Sequence, residues 1–256
     1  MNKRLIVLFI GLIFLVIIIV LNSTLFVISD ISVSSDSGTS WFDPDAVILS
    51  SKINKGRNIF ALSETKALGN IESAHSNIRV VSIERKFPNK IIIHITLRVP
   101  VIAIRIEGSG KCFITDWELN VIDVVSSDSK LYKDSALIKG IAVTVNGEAE
   151  SLKGKKLEDT QLEPIVEIAR AAASMGIADA AFNTFFDNID FSKSHYAYIK
   201  TNAGVTFVLV IGTDTSIEDQ FQAVYSYFVS LEISDSKRSS GYFKIGNEGW
   251  EWSAAD

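Results

Sequence analysis

The sequence holds a single cysteine, Cys112, so no intramolecular disulfide can form. A domain outside the cytoplasm would then rest on its apolar core alone, which suits a bacterial envelope protein better than a small, disulfide-stapled secreted domain. Histidine is scarce as well. His75, His94 and His195 stand far apart, and none lies at a metal-ligand spacing from another His, Cys or carboxylate. No Gly-x-Ser-x-Gly occurs, which removes the nucleophile-elbow form of serine catalysis. Gly108-Ser109-Gly110-Lys111 imitates a phosphate loop, but Arg105 stands where a leading Gly is needed and Cys112 where Ser or Thr is needed. The tetrapeptide therefore reads as a hairpin turn, and Cys112, between strand-like apolar neighbours, as a small buried hydrophobe. The sequence offers no catalytic residue, no metal-ligand set and no cofactor motif.

Charge is missing from one long stretch. Leu5 to Leu21 contains no charged side chain, and no Asp or Glu precedes Asp30, whereas Lys3 and Arg4 sit directly before the run. About 20 helical residues cross a hydrocarbon core of about 30 Å, and Leu25 to Ile28 extends the apolar stretch. The reading is a transmembrane helix over residues 5–27, a short cytoplasmic tail over 1–4, and the remainder outside the plasma membrane, following the positive flank. A cleaved signal peptide fits less well. Its apolar region is about 7–15 residues, and Leu25-Phe26-Val27-Ile28 makes a poor cleavage neighbourhood. Beyond the run, 23 basic and 30 acidic side chains leave a net charge of −7. That balance argues against nucleic-acid binding and supplies no polybasic segment for a lipid surface.

What is present is a regular alternation of strands and helices. Ile28–Ser35 reads as a strand. Asp43-Pro44 opens a helix to about Ile53 that ends near Gly56, and Ser63 opens a second through about Glu72. Ile78–Phe87, a Pro88-Asn89 turn and Lys90–Val99 form a hairpin. In its second strand Ile91, Ile93, Ile95, Leu97 and Val99 share one parity and should pack beneath the helices, leaving Arg85, His94 and Arg98 on a polar outer face. Strand, helix, helix, strand, strand is a compact α+β unit. Beyond Pro100 the chain turns to short strands and hairpins, with helices over about Leu162–Met175 and Ser216–Leu231. It ends on Tyr242–Ile245, a Gly-Asn-Glu-Gly turn and Trp250-Glu251-Trp252. The fold class is α+β.

This organisation resembles the bacterial cell-division family FtsQ/DivIB. "ISVSSD" stands where that family has its first strand, and "INKGRNIFAL" (Ile53–Leu62) is similar to its I-x-x-G-x-N-I/L-F stretch. "IRVVSIERKFPNKIIIHITLRVPVIAI" (Ile78–Ile104) matches at Arg85, Pro88, Arg98, Pro100 and Ala103, with Leu97 in place of the usual Glu. "CFITDWELNVIDV" is similar to the following hairpin, with Asp116 on its Asp and Glu118 in place of its Gly. "YAYIKTNAGVTFVLVIG" resembles a later hairpin, whereas Tyr242-Phe243-Lys244-Ile245 lacks the Asp of the family's last motif. The resemblance implies a POTRA module (polypeptide transport-associated fold) over residues 28–99 and a β domain with two or three helices over 100–256. It implies a non-catalytic scaffold of the divisome, single-pass in the plasma membrane at the septum. Its partners would be small bitopic coiled-coil proteins of the FtsB/DivIC and FtsL types, with no nucleic acid, small-molecule substrate or cofactor.

The resemblance also points to the C-terminal strands as the partner edge, here Tyr242, Phe243, Lys244, Ile245, Trp250, Glu251 and Trp252. Trp and Tyr concentrate in interface hot spots, yet the same rings could complete the core. Trp250 and Trp252 share a parity, and the direction of Glu251 decides between the two. Arg85, His94 and Arg98 form a second candidate surface, on the POTRA module, against the simpler reading of a solvated face. Two further functions remain open: a membrane-anchored envelope enzyme using carboxylates, which needs a cleft of convergent acids, and a POTRA-bearing translocation or assembly factor.

Overall fold

The computed structural model describes residues 3–21, 24–36, 38, 41–145, 147–177, 180–193, 195–230, 233–246 and 249–254. The chain divides into two compact units, residues 1–97 and 98–256.

The first unit opens with helix α1, Lys3–Leu21, 19 residues long. Its side chains are described from Phe9 onward, and all of those are exposed. Among the described residues no helix is long and apolar enough to cross a membrane. The expected span to Val27 is too long at its C-terminal end. Asn22 and Ser23 lie outside the described residues, Thr24–Phe26 is a single 3-10 turn, and Val27 bridges Asn58. The apolar character of this stretch serves the fold: Phe26 packs on the core of the unit, against the rings of Phe60 and Phe87.

Strand β1 (Asp30–Ser35), helices α2 (Pro44–Ser51) and α3 (Glu64–Ala74), and strands β2 (Ile78–Lys86) and β3 (Lys90–Leu97) complete the unit. The sheet order is β1-β3-β2, with β1 parallel and β2 antiparallel to the central β3. A central strand is lined by ladders on both sides, and the Ile91, Ile93 and Ile95 row of β3 is fully buried beneath the helices with Val47, Ala67 and Ile71. Leu97, expected on this face, is 44% exposed, because the strand ends there; Val99 packs instead on the core of the second unit. Asp43 caps α2, its carboxylate accepting the Asp45 N–H at 3.0 Å. The helix stops at Ser51, short of the expected Ile53. Lys52 turns left-handed, and the Ser51 hydroxyl donates to the Ile48 carbonyl and accepts from the Ile53 N–H. The side chain thus does locally what a C-cap glycine usually allows.

The second unit is built on one nine-stranded sheet. Its elements are β4 (Ile102–Ile106), β5 (Lys111–Thr115), β6 (Val121–Ser126), the short α4 (Lys130–Lys133), β7 (Ala136–Val143), α5 (Glu163–Ser174), α6 (Ala180–Phe185) and β8 (Phe186–Asp190). There follow β9 (Tyr196–Thr201), β10 (Thr206–Val210), α7 (Ile217–Val229), the short α8 (Asp235–Arg238), β11 (Tyr242–Gly246) and β12 (Gly249–Ser253). The sheet order is β12-β11-β10-β9-β8-β7-β4-β5-β6. Helices α5 and α7 pack on each other, and α7 lies against β10 and β11. Strand alternation sends Phe207 and Leu209 of β10 into the core with Phe221 and Val224 of α7. Gln220 is the buried polar hinge of this layer. Its amide accepts from the Val210 N–H and donates to the Val210 carbonyl, both at 2.8 Å, so the last residue of β10 is satisfied by a helix rather than a strand.

Candidate partner-binding edge

The C-terminal residues meet at the end of the nine-stranded sheet. β11 pairs parallel with β10, and β12 folds back antiparallel on β11, with Phe243 opposite Trp252 and Lys244 opposite Glu251. Among the described residues β12 is the outermost strand, and its far side presents backbone N–H and C=O groups that have no ladder partner in the sheet order.

The two faces of this edge differ in chemistry. Phe243 is fully buried, its ring 6.1 Å from Phe207 and 5.7 Å from both Tyr227 and Phe228. As a candidate surface contact it is corrected: the residue fixes β11 to α7 and is out of reach of a partner. Trp250 and Trp252 are half-buried and pack on the same core, while Glu251 between them is exposed. The Trp252 indole donates to the Ser240 carbonyl at 2.8 Å, and Lys237 lies 5.3 Å from the ring. The tryptophans brace the hairpin from the helix side. Gly241, with φ of +90°, makes the close approach possible, since a Cβ there would lie 2.7 Å from the Trp252 ring nitrogen and would also run into the Ser253 carbonyl.

Tyr242, Lys244, Ile245 and Glu251 are exposed. Tyr242, Lys244 and Ile245 line a shallow groove of about 500 Å³ with Tyr196, Tyr198 and Val210 from β9 and β10. Lys193 sits over the Tyr198 ring at 4.9 Å. Sequence reasoning missed Tyr196 and Tyr198. The signal was available in "YAYIKT", where both tyrosines fall on the parity opposite the buried Ala197 and Ile199.

The other three candidates do not form one surface. Arg85 is a clamp within the first unit. Its guanidinium donates to the carbonyls of Ile59 at 3.2 Å and Leu62 at 2.9 Å and pairs with Glu64. His94 faces Glu84 at 3.2 Å in an exposed pair. Arg98 is 3% exposed and belongs to the second unit, where it pairs with the buried Asp116. A bare buried carboxylate is costly, and this one also accepts the N–H groups of Glu118 at 3.0 Å and Asn120 at 2.9 Å. Arg98 is therefore a structural ion pair that closes the 116–120 turn, not part of a POTRA surface. Among the described residues no three of His, Cys, Asp and Glu gather as metal ligands would.

Residues 26–98 match the family model for the POTRA domain, FtsQ-type. The first unit is an FtsQ-type POTRA domain. The match covers less than a third of the chain. It covers the helix pair and all three strands of the small sheet, and it ends at Arg98, the first residue of the second unit. Compared with the curated proteins, the chain has no match.

Proposed function

We propose that the chain is a non-catalytic, membrane-anchored scaffold of the bacterial divisome. Its POTRA domain would occupy residues 28–99 and its β domain 100–256, the latter capturing a small bitopic coiled-coil protein of the FtsB/DivIC type, together with an FtsL-type partner, at the β12 edge. The observation that carries this reading is the combination of an FtsQ-type POTRA domain with a terminal strand left outermost in the sheet. A partner strand added to β12 would gain main-chain hydrogen bonds, and alternate side chains would supply specificity. Tyr242, Lys244 and Glu251 are exposed on the terminal hairpin, and the groove that Tyr242 and Lys244 line with Tyr196 and Tyr198 extends to Ser253 and Ala254 at the end of β12. Charged groups at the rim steer and discriminate, whereas buried aromatic anchors carry affinity.

The anchor is proposed from the uncharged run Leu5–Leu21 together with α1. In the sequence that run is 17 residues, against the about 20 that span a bilayer. The side chains from Phe9 to Leu21 are exposed, and a helix apolar on every side suits a core or a membrane rather than water. Lys3 and Arg4 set the proposed orientation, with both units outside the plasma membrane and the protein at the septum.

The test is depletion combined with capture. Cells depleted of the chain should elongate without septa, and the full-length chain should retain the purified FtsB/DivIC-type and FtsL-type pair on a column. Normal septation with no capture contradicts the proposal.

A further inference from the structure

We propose that the end of the POTRA domain next to α1 is seated on the outer membrane surface of the anchoring bilayer and holds an anionic phospholipid headgroup in a basic groove; the inference rests on α1 being an anchor. A groove of about 400 Å³ opens between α2, α3 and the loop joining them. Lys52 enters it from the left-handed cap of α2, Arg57 from the turn after Gly56, and Lys66 from the first turn of α3. None of the three has an ion-pair partner among the described residues. The neighbouring acids are already engaged, Glu64 with Arg85 and Asp30 with Lys90 at 2.9 Å. Ser63 caps α3 without a side-chain bond, so first-turn N–H groups of that helix add partial positive charge to the groove.

Beside the groove stands an apolar tip. Phe60 is 46% exposed and Phe87 55%, their rings 5.4 Å apart and joined by Phe26 at 5.2 and 6.3 Å; Leu25 is 54% exposed. Solvent alone gives no reason to gather these side chains. The tip and the groove are tied to the helix end: Asn58, which lines the groove, donates to the carbonyl of Leu21, the last residue of α1, at 2.7 Å. Apolar rings entering the acyl boundary beside cations that meet phosphates is the chemistry of an interfacial contact. The acidic net charge of the chain hides this patch, because its cations come from positions 52, 57 and 66 and meet only through the fold.

The test places the full chain in lipid nanodiscs of phosphatidylcholine, with and without phosphatidylglycerol, and follows amide hydrogen exchange over residues 57–61 and 86–90. Disc entry is read first, by co-elution. Phosphatidylglycerol should slow exchange in both segments, by about fivefold for each cation engaged. Lys52→Gln, Arg57→Gln and Lys66→Gln together should erase the difference between the discs with an unchanged thermal midpoint. Phe87→Asn, at an exposed turn, should weaken protection in both. Equal exchange in the two discs overturns the inference. Equal protection by inorganic pyrophosphate in phosphatidylcholine discs overturns the lipid assignment, since the groove then takes free phosphate. Failure to enter discs overturns the anchor, and the inference with it.

Discussion

At the scale of single residues, the buried ion pair decides most. Arg98 and Asp116 are both shielded from water, and Asp116 also terminates a turn through two backbone N–H groups. Arg98→Ala leaves that carboxylate uncompensated and should cost about 3–5 kcal/mol, read from urea unfolding of the chain; a loss within the noise of the assay would mean that the pair is solvated. Burial pushes the Cys112 thiol up, with a smaller opposing effect from Arg105. The native chain should therefore alkylate slowly at neutral pH and fully once denatured, and fast native labelling would contradict the packing. The hydrogen bond and charge of Lys90 hold the exposed Asp30 carboxyl below its ordinary value of 3.8. A carboxyl depressed in the folded state stabilises it above the unfolded value, and that contribution disappears as pH falls through the folded value. Asp30→Asn should lose that contribution at neutral pH and match the native chain at low pH, so that its stability falls less steeply below pH 3.8. The identity of Cys112 as a buried hydrophobe was legible from its apolar neighbours. That of Arg98 was not: its strand parity matched an exposed position, and only the chain passing into the second unit brought Asp116 against it.

At the scale of elements, alternation and caps were the most legible signals. The isoleucine ladder of β3, the Asp43 cap of α2 and the hydrophobic stripe of α7 follow from spacing, since each pattern has one buried face. Boundaries were less legible where a polar side chain closes an element, as Ser51 does for α2. The short helices α4, α6 and α8 carry no periodicity long enough to read. At the candidate edge, Glu251 faces outward and both tryptophans face the core, which settles the alternative that parity left open. The hairpin depends on Gly241. Gly241→Ala combines a positive φ with a clash against Trp252 and Ser253, and should cost about 1–3 kcal/mol. On the proposed function it should also release the partner while the remainder of the unit keeps its fold; near-ultraviolet circular dichroism and partner capture read the two effects separately. Unchanged capture would move the binding surface away from β12.

At the scale of the whole molecule, the arrangement is two units of different construction on one chain. The three-stranded POTRA sheet is short, with a parallel β1–β3 pair that needs the two intervening helices as its crossover. Among the described residues the nine-stranded sheet ends at β12 and β6, and the start of β6 is already bonded at Val121 by Gly154 and Lys155. An open edge invites strand addition unless it is blunted, so the account must say which of the two is used. Composition had indicated a net acidic exterior without a nucleic-acid surface. It could not indicate that aromatic side chains collect near β12, because Tyr196, Tyr198 and Tyr242 are distant in sequence and meet only through the β9–β10–β11 ladder. The most direct measurement is photocrosslinking with the purified FtsB/DivIC-type and FtsL-type pair, with a photoreactive residue placed on the full chain either at Glu251 on β12 or at Ser126 on β6, both exposed. The account predicts a crosslinked product from Glu251 and none from Ser126. Crosslinking from Ser126 alone, or from neither position with the pair still bound, would contradict it.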